Sequence, residues 1–185
     1  MPLPAGQSTT RTRLARLAIS WVFFANGAAL GSWVPHIPDA KHALGLTDGL
    51  LGLALLGMGA GSLIGLPLSG VLTARFGSRK TTTAALLAML LATPLPILAP
   101  LPPLFAIALG LLGMANGAVD VAMNTQAIAV QDRYGRAIMS GFHGLFSIGG
   151  LAGAAAAALA MSVGVVLVCI WWRPSPVCFC RPSGQ

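Results

Sequence analysis

Apolar runs of about twenty residues follow one another along most of this chain. That pattern constrains its fold more than any single motif does. A helix that crosses a bilayer needs roughly 20 mostly apolar residues. Five segments reach that length: residues 17–34, 49–72, 81–99, 104–130 and 138–170. The last is too long for one simple span and too short for two, which leaves room for a broken sixth helix. Composition agrees, because 56% of the residues are hydrophobic, only 8% are charged, and the 4 acidic residues are all Asp. A soluble domain carries about 25% charged residues, so this chain could not clothe a soluble surface. Disordered chains are poor in hydrophobic residues. A secreted disulfide scaffold is excluded by the 3 Cys, all near the C-terminus. The expected fold is an all-α, polytopic membrane protein whose first partner is the lipid bilayer. It divides into an N-terminal tail (1–13), a helical bundle (14–170) and an irregular C-terminal tail (171–185).

The net charge of +7 does not indicate nucleic acid, which requires basic residues gathered on a soluble face. Here they sit in short groups between apolar runs. Arg11, Arg13 and Arg16 precede the first span, Arg75, Arg79 and Lys80 separate the second from the third, and Arg133 and Arg136 separate the fourth from the fifth. On the alternate side there is only Lys41. Loops rich in Lys and Arg stay in the cytoplasm, so the N-terminus is expected there. An odd number of spans then puts Arg173 and Arg181 outside, against the rule. The first span is read as retained: Met1 to Thr10 lacks charge, and the apolar stretch exceeds the roughly 7–15 residues of a signal peptide.

Many of the 23 Gly lie inside spans. Such a density would weaken a soluble helix. In lipid it lets backbones approach, since packing drives helix association there. Gly57 with Gly61, Gly61 with Gly65, and Gly149 with Gly153 form GxxxG pairs, read as packing within one chain in preference to a dimer interface. A short repeat accompanies them. Ala25-Asn26-Gly27-Ala28 in the first span recurs as Ala115-Asn116-Gly117-Ala118 in the fourth, three spans later. Inverted three-span repeats are a signature of secondary transporters.

Asp120 lies near the middle of the fourth span. A carboxylate at that depth costs about 2.5–3.5 kcal/mol on insertion scales, and such residues usually serve an ion or substrate path. The alternative is a structural hydrogen-bonding Asp. Asn116, Asp120 and Asn124 are spaced i, i+4, i+8 and share one helix stripe. Amide, carboxylate and amide together offer donors and acceptors to a hydroxylated solute. Gln126 falls off the stripe and is assigned to helix packing. In the first span, Asn26 and Trp33 share a face and would suit a sugar-like ligand by hydrogen bonding and stacking. Trp33 is read equally well as an aromatic-belt residue. His143 opens the fifth span. It could relay protons or simply bond a carbonyl. Asn26, Asn116, Asp120 and Asn124 should converge on a central face near the bilayer midplane. The sequence carries no GxSxG, HExxH or Walker A pattern and no zinc-ligand set around Cys178 and Cys180, so neither an enzyme nor a cofactor or metal is expected. An intramembrane enzyme pairing Asp120 with His143 is the least favoured reading.

The segment Gly70-Val-Leu-Thr-Ala-Arg75-Phe-Gly77-Ser-Arg79-Lys80 resembles the loop between spans 2 and 3 of the major facilitator superfamily. Gly70, Leu72, Arg75, Gly77 and Arg79 match that pattern, while Ala74 stands where the family prefers Asp and Ser78 where it prefers a basic residue. The resemblance implies a gating role for this loop, with part of its charge network missing. Trp33-Val-Pro-His-Ile-Pro38 and Gly117 to Gln126, followed by Gly135-Arg136 and Met139 to Gly144, are similar to a branch near bacterial fucose permeases and related uncharacterised inner-membrane proteins. Over residues 14 to 165 the resemblance implies the N-terminal six-helix half of a twelve-helix fold in a bacterial inner membrane. Fucose-type members are proton symporters with an acidic residue in span 4, which the resemblance carries over to Asp120.

The expectation is therefore a proton-coupled secondary transporter of a small polar or sugar-like solute. The competing reading is an inactive or structural membrane fragment that needs a second half or another copy. The tail sharpens that alternative. Trp171, Trp172, Cys178 and Cys180 replace the earlier Ala, Gly and Leu, and Pro174, Pro176 and Pro182 oppose a sixth helix there. Such a switch is what a shifted reading frame or a truncation produces.

Overall fold

The computed structural model of the chain describes residues 5–162. The tail at 171–185, its frameshift reading and the space for a broken sixth helix all lie outside the described residues. Within them every regular element is helical. Helix α1 spans Ala5–Trp33, a 3-10 turn Val34–His36, α2 Ile37–Ala43, α3 Asp48–Phe76, α4 Ser78–Ala92, α5 Leu95–Leu98, α6 Pro102–Tyr134 and α7 Met139–Ser162. Five helical stretches among the described residues are long and apolar enough to cross a membrane.

Local chemistry sets the breaks. Pro35 coincides with the switch from α1 to the 3-10 turn, since a proline lacks the N–H that would continue the ladder. Thr47 caps α3 by accepting the Leu50 N–H at 3.2 Å. The third span divides at Pro94, leaving the four-residue α5 beyond it. Gly135 ends α6 in the left-handed region (φ 70, ψ 16) and donates its N–H to Gln131 O. Gln131 then reaches across that turn, its Oε1 accepting the N–H groups of Ile138 at 3.0 Å and Met139 at 3.1 Å. The start of α7 is thereby capped from α6.

Two close helix pairs form the bundle: α1 with α7, and α3 with α6. Glycine sets both. A methyl on Gly27 would lie 2.1 Å from Phe146 O, and one on Gly31 2.1 Å from Gly150 O. From the other side, Gly149 meets Phe24 O and Gly153 meets Ala28 O at 2.2 and 2.1 Å. In the second pair, Gly61 faces Gly110 O and Gly65 faces Met114 O, each at 2.0 Å, while Gly113 faces Met58 O at 1.9 Å and Gly117 faces Ser62 O at 2.5 Å. Backbones in such contact leave no room for any side chain, and the gain is van der Waals packing along the whole crossing. Hydroxyls reinforce the second pair: Ser62 Oγ donates to Gly113 O at 2.9 Å and Ser69 Oγ to Ala118 O at 2.7 Å. Gly57 stands apart, with nothing nearer than Ala106 O at 3.7 Å. These GxxxG contacts are made within one chain.

The two pairs are copies of one design. Gly61 and Gly65 play in α3 the part that Gly149 and Gly153 play in α7, and Gly27 and Gly31 of α1 correspond to Gly113 and Gly117 of α6. The copies are inverted. Arg16, near the start of α1, donates from Nη1 to Tyr134 Oη at the end of α6 (2.7 Å), so the two helices run oppositely. The glycine contacts recur every four residues, so they also accept the Ala-Asn-Gly-Ala alignment, in which Gly27 facing Phe146 O pairs with Gly117 facing Ser62 O, and Gly149 facing Phe24 O with Gly65 facing Met114 O. Asn26 and Asn116 nevertheless sit in different surroundings, the first fully buried and the second half-buried.

Candidate functional site

Helix α6 is the hub of the bundle, packed by α3, α4, α1, α5 and α7. At about 100° per residue, its Gly113 and Gly117 face α3, Gln126 faces α4, and Met123 and Tyr134 face α1. Asp120 falls between the α1 face and the α3 face. Since α1 and α3 pack with their own partners and barely meet, a slot opens there with α6 as its floor.

Asp120 is exposed on that floor and Asn124 is half-buried beside it. Asn124 Nδ2 donates to Asp120 Oδ1 at 3.1 Å and to Asp120 O at 2.8 Å. The bond holds the carboxylate rotamer, and the second oxygen has no hydrogen bond among the described residues. Asn116 continues the stripe one turn away, half-buried. A short row of amide, carboxylate and amide therefore runs along one stripe of the helix, exposed at Asp120 and half-buried at Asn116 and Asn124.

The other candidate residues are placed differently. Asn26 is fully buried between α1 and α6, its Nδ2 3.9 Å from Met123 Sδ and its Oδ1 without a partner. An orphaned buried acceptor is uncommon, and it marks Asn26 as polar for a reason other than packing. No hydrogen bond joins it to the Asp120 row among the described residues. Trp33 is buried against Phe105 of α6, ring centroids 6.0 Å apart, and so stands away from that row. His143 is exposed and meets the edge of Phe23 at 5.3 Å, while Phe23 stacks on Phe142 at 5.5 Å. Asp120 and His143 share no hydrogen bond among the described residues. Gln126 accepts from Ser78 Oγ at 2.5 Å, tying α4 to α6.

The expected gating loop proves to be a single residue. Gly77 alone separates α3 from α4, at φ 84 and ψ 151. That region is essentially reserved for glycine. Gly70 lies within α3 with open space around it, Arg75 rests 5.4 Å from the Phe76 ring, and Arg79 is exposed. Gly77→Ala is expected to cost about 1–3 kcal/mol, read as a lowered thermal unfolding midpoint of the chain in micelles. An unchanged midpoint would mean that the turn is not held in this conformation. Ser78–Gln126 and Arg16–Tyr134 also set this turn, the start of α1 and the end of α6 at one end of the bundle. All three basic groups therefore share an end. The Lys41–Asp48 ion pair, the only one among the described residues, closes the opposite end.

Inverted helix pairs around a polar slot define a multi-pass membrane bundle of the kind found in secondary transporters. Residues 18–178 match the Major Facilitator Superfamily. The chain is 46% identical over 151 residues to an uncharacterised MFS-type transporter of Yersinia pestis, covering 82% of this chain and 38% of that protein. It is 37% identical over 133 residues to an uncharacterised transporter of Sinorhizobium fredii (72% and 35%) and 33% identical over 185 residues to the membrane protein MosC of Rhizobium meliloti (94% and 46%). No solved structure matches. The chain belongs to the Major Facilitator Superfamily, a family of transporters and not of enzymes. It spans between about a third and a half of the length of these relatives.

The sequence pointed to Asp120 by its depth, by the stripe it shares with Asn116 and Asn124, and by the family resemblance. It did not single out Gly27, Gly31, Gly113 or Gly117 as contact residues. Their spacing of four is visible in the sequence, and the same GxxxG search finds them.

Proposed function

We propose that this bundle is one wall of a proton-coupled secondary transporter for a small polar or sugar-like solute in the bacterial inner membrane. Its basic end, and with it the N-terminus, faces the cytoplasm. The observation that carries the reading is the Asp120–Asn124 pair on a stripe of the central helix that is exposed at Asp120. A carboxylate at that depth is costly unless it meets water, a proton or a ligand. Asn116 and Asn124 would bind solute hydroxyls, and Asp120 would take up and release the coupling proton. Asn26, Trp33 and His143 are assigned to the same pathway as its flanking residues, acting when the slot changes shape. Gly70, Arg75, Gly77 and Arg79 form the gating turn.

Alternating access needs an opposing wall. On this reading a second set of helices faces α1, α3 and α6, from the same protein or from a partner chain. Without it the bundle is a structural membrane fragment. The test is solute uptake into proteoliposomes holding the bundle together with the remaining helices of the Yersinia relative. Accumulation that is driven by an imposed pH gradient and lost when that gradient is dissipated supports the proposal. Uptake indifferent to the gradient removes proton coupling, and absence of uptake for every polar solute tried removes transport.

A further inference from the structure

We propose that the cleft between the start of α1 and the α6–α7 turn binds the phosphate of an anionic phospholipid headgroup. The cleft, about 300 Å³ in volume, is lined by Arg16, Tyr134, Arg136, Ala137, Ile138 and Gly141. Its two guanidinium groups are poised differently. Arg16 is held in place, donating to Tyr134 Oη at 2.7 Å with its guanidinium carbon 4.9 Å from the ring centroid. Arg136 is exposed and has neither an ion pair nor a hydrogen bond among the described residues. No carboxylate lines the cleft. Two positive charges thus converge without an anion of the protein between them.

The geometry points to phosphate because guanidinium forks match its oxygens. The α7 N-terminus adds little, since the N–H groups of Ile138 and Met139 already go to Gln131 Oε1. The arginines must carry recognition. A lipid source follows from the depth of the site. Leu14 and Leu17 flank Arg16 and are exposed, as is Trp21 a little further along α1. Exposed Trp and Tyr mark the level where acyl chains meet headgroups. Basic pockets at helix ends at that level suit anionic headgroups. The cleft lies 14 residues further along α6 than Asp120, at the basic end of the bundle, and the inference stands whether or not the Asp120 slot transports.

The experiment is native mass spectrometry of the 185-residue chain in neutral micelles doped with phosphatidylglycerol or phosphatidylcholine. Phosphatidylglycerol adducts should persist where phosphatidylcholine adducts do not. Arg136→Gln should weaken them about fivefold, and Arg16→Gln with Arg136→Gln by roughly twentyfold or more. Arg79→Gln, at the same end but outside the cleft, should leave them unchanged. Arg136 has no partner to lose among the described residues, so its variant keeps the test valid if Arg16→Gln disturbs folding. Equal losses from Arg79→Gln and Arg136→Gln would reduce the effect to diffuse charge and overturn the site. Displacement by inorganic phosphate at matching concentration would overturn the lipid assignment and leave a soluble anion as the ligand.

Discussion

Gly65→Ala is expected to take apart the α3/α6 pair, while Gly70→Ala, five residues further along the same helix, is expected to leave it intact. A Cβ on Gly65 would sit 2.0 Å from Met114 O and 3.0 Å from Ala118 N. Both obstacles are backbone, so no rotamer change relieves the overlap and the helices must separate. Separation also breaks the Ser69 bond to Ala118 O and loosens Gly61, Gly113 and Gly117, because all lie on one crossing. Overpacking typically costs 1–3 kcal/mol. A backbone clash spread over four contacts should reach the upper end, about 3 kcal/mol or more. Gly70 has nothing within 4 Å, and Ala there gains helix propensity of up to about 1 kcal/mol. The measurement is unfolding of the two variants in mixed micelles with increasing denaturing detergent. Similar midpoints would mean that the close approach is not what holds α3 to α6. The inverted copy gives a second version: Gly149→Ala should behave like Gly65→Ala, since its Cβ would meet Phe24 O at 2.2 Å.

The spans were legible because hydropathy over twenty residues is a summed signal that no single substitution erases. Their ends were less so. Hydropathy reports where a helix enters lipid, whereas α1 continues back to Ala5 through Arg11, Arg13 and Arg16, and α6 runs on to Tyr134. Polar residues there keep the helix going outside the apolar run. The break at Pro94 and the one-residue turn at Gly77 depend on backbone chemistry, and a hydropathy window averages it away. The repeat was visible as four matching letters, and the contacts accept that register, but glycine contacts that recur every four residues fit a pairing of Gly27 with Gly113 as well.

The candidate site was legible to the extent that helix geometry alone decides it. Asn116, Asp120 and Asn124 needed only the 3.6-residue period, and the Asn124–Asp120 bond realises that spacing. Residues on different helices were another matter. Asn26 and Trp33 share a face of α1, but that face turns out to pack on α6 through Met123 and Phe105. Which face of α1 meets which face of α6 depends on Gly27 and Gly31 fitting α7 on the other side. No property of α1 by itself contains that information. Gln131 capping α7 and Arg16 on Tyr134 were hidden for the same reason.

Asp120→Asn is expected to abolish solute accumulation driven by a pH gradient while leaving the bundle folded. The substitution keeps the side-chain shape, and an amide oxygen can still accept from Asn124 Nδ2 as Asp120 Oδ1 does. Asp120 is exposed on the slot and makes no ion pair among the described residues, so no buried charge there loses its partner. What disappears is the ability to carry a proton. A gradient of one pH unit stores about 1.4 kcal/mol per proton, enough for about tenfold accumulation by one-to-one symport. In proteoliposomes that join this bundle to an opposing set of helices, the ratio should fall from about ten to one. Exchange of labelled for unlabelled solute, which moves no net protons, should survive. Asp132→Asn supplies the control, because Asp132 is exposed at the basic end of α6, away from the slot. If Asp120→Asn still concentrates solute against its gradient, the coupling proton rides elsewhere. If exchange is lost along with accumulation, Asp120 binds the solute itself, and the row from Asn116 to Asn124 becomes a binding surface with no separate proton site.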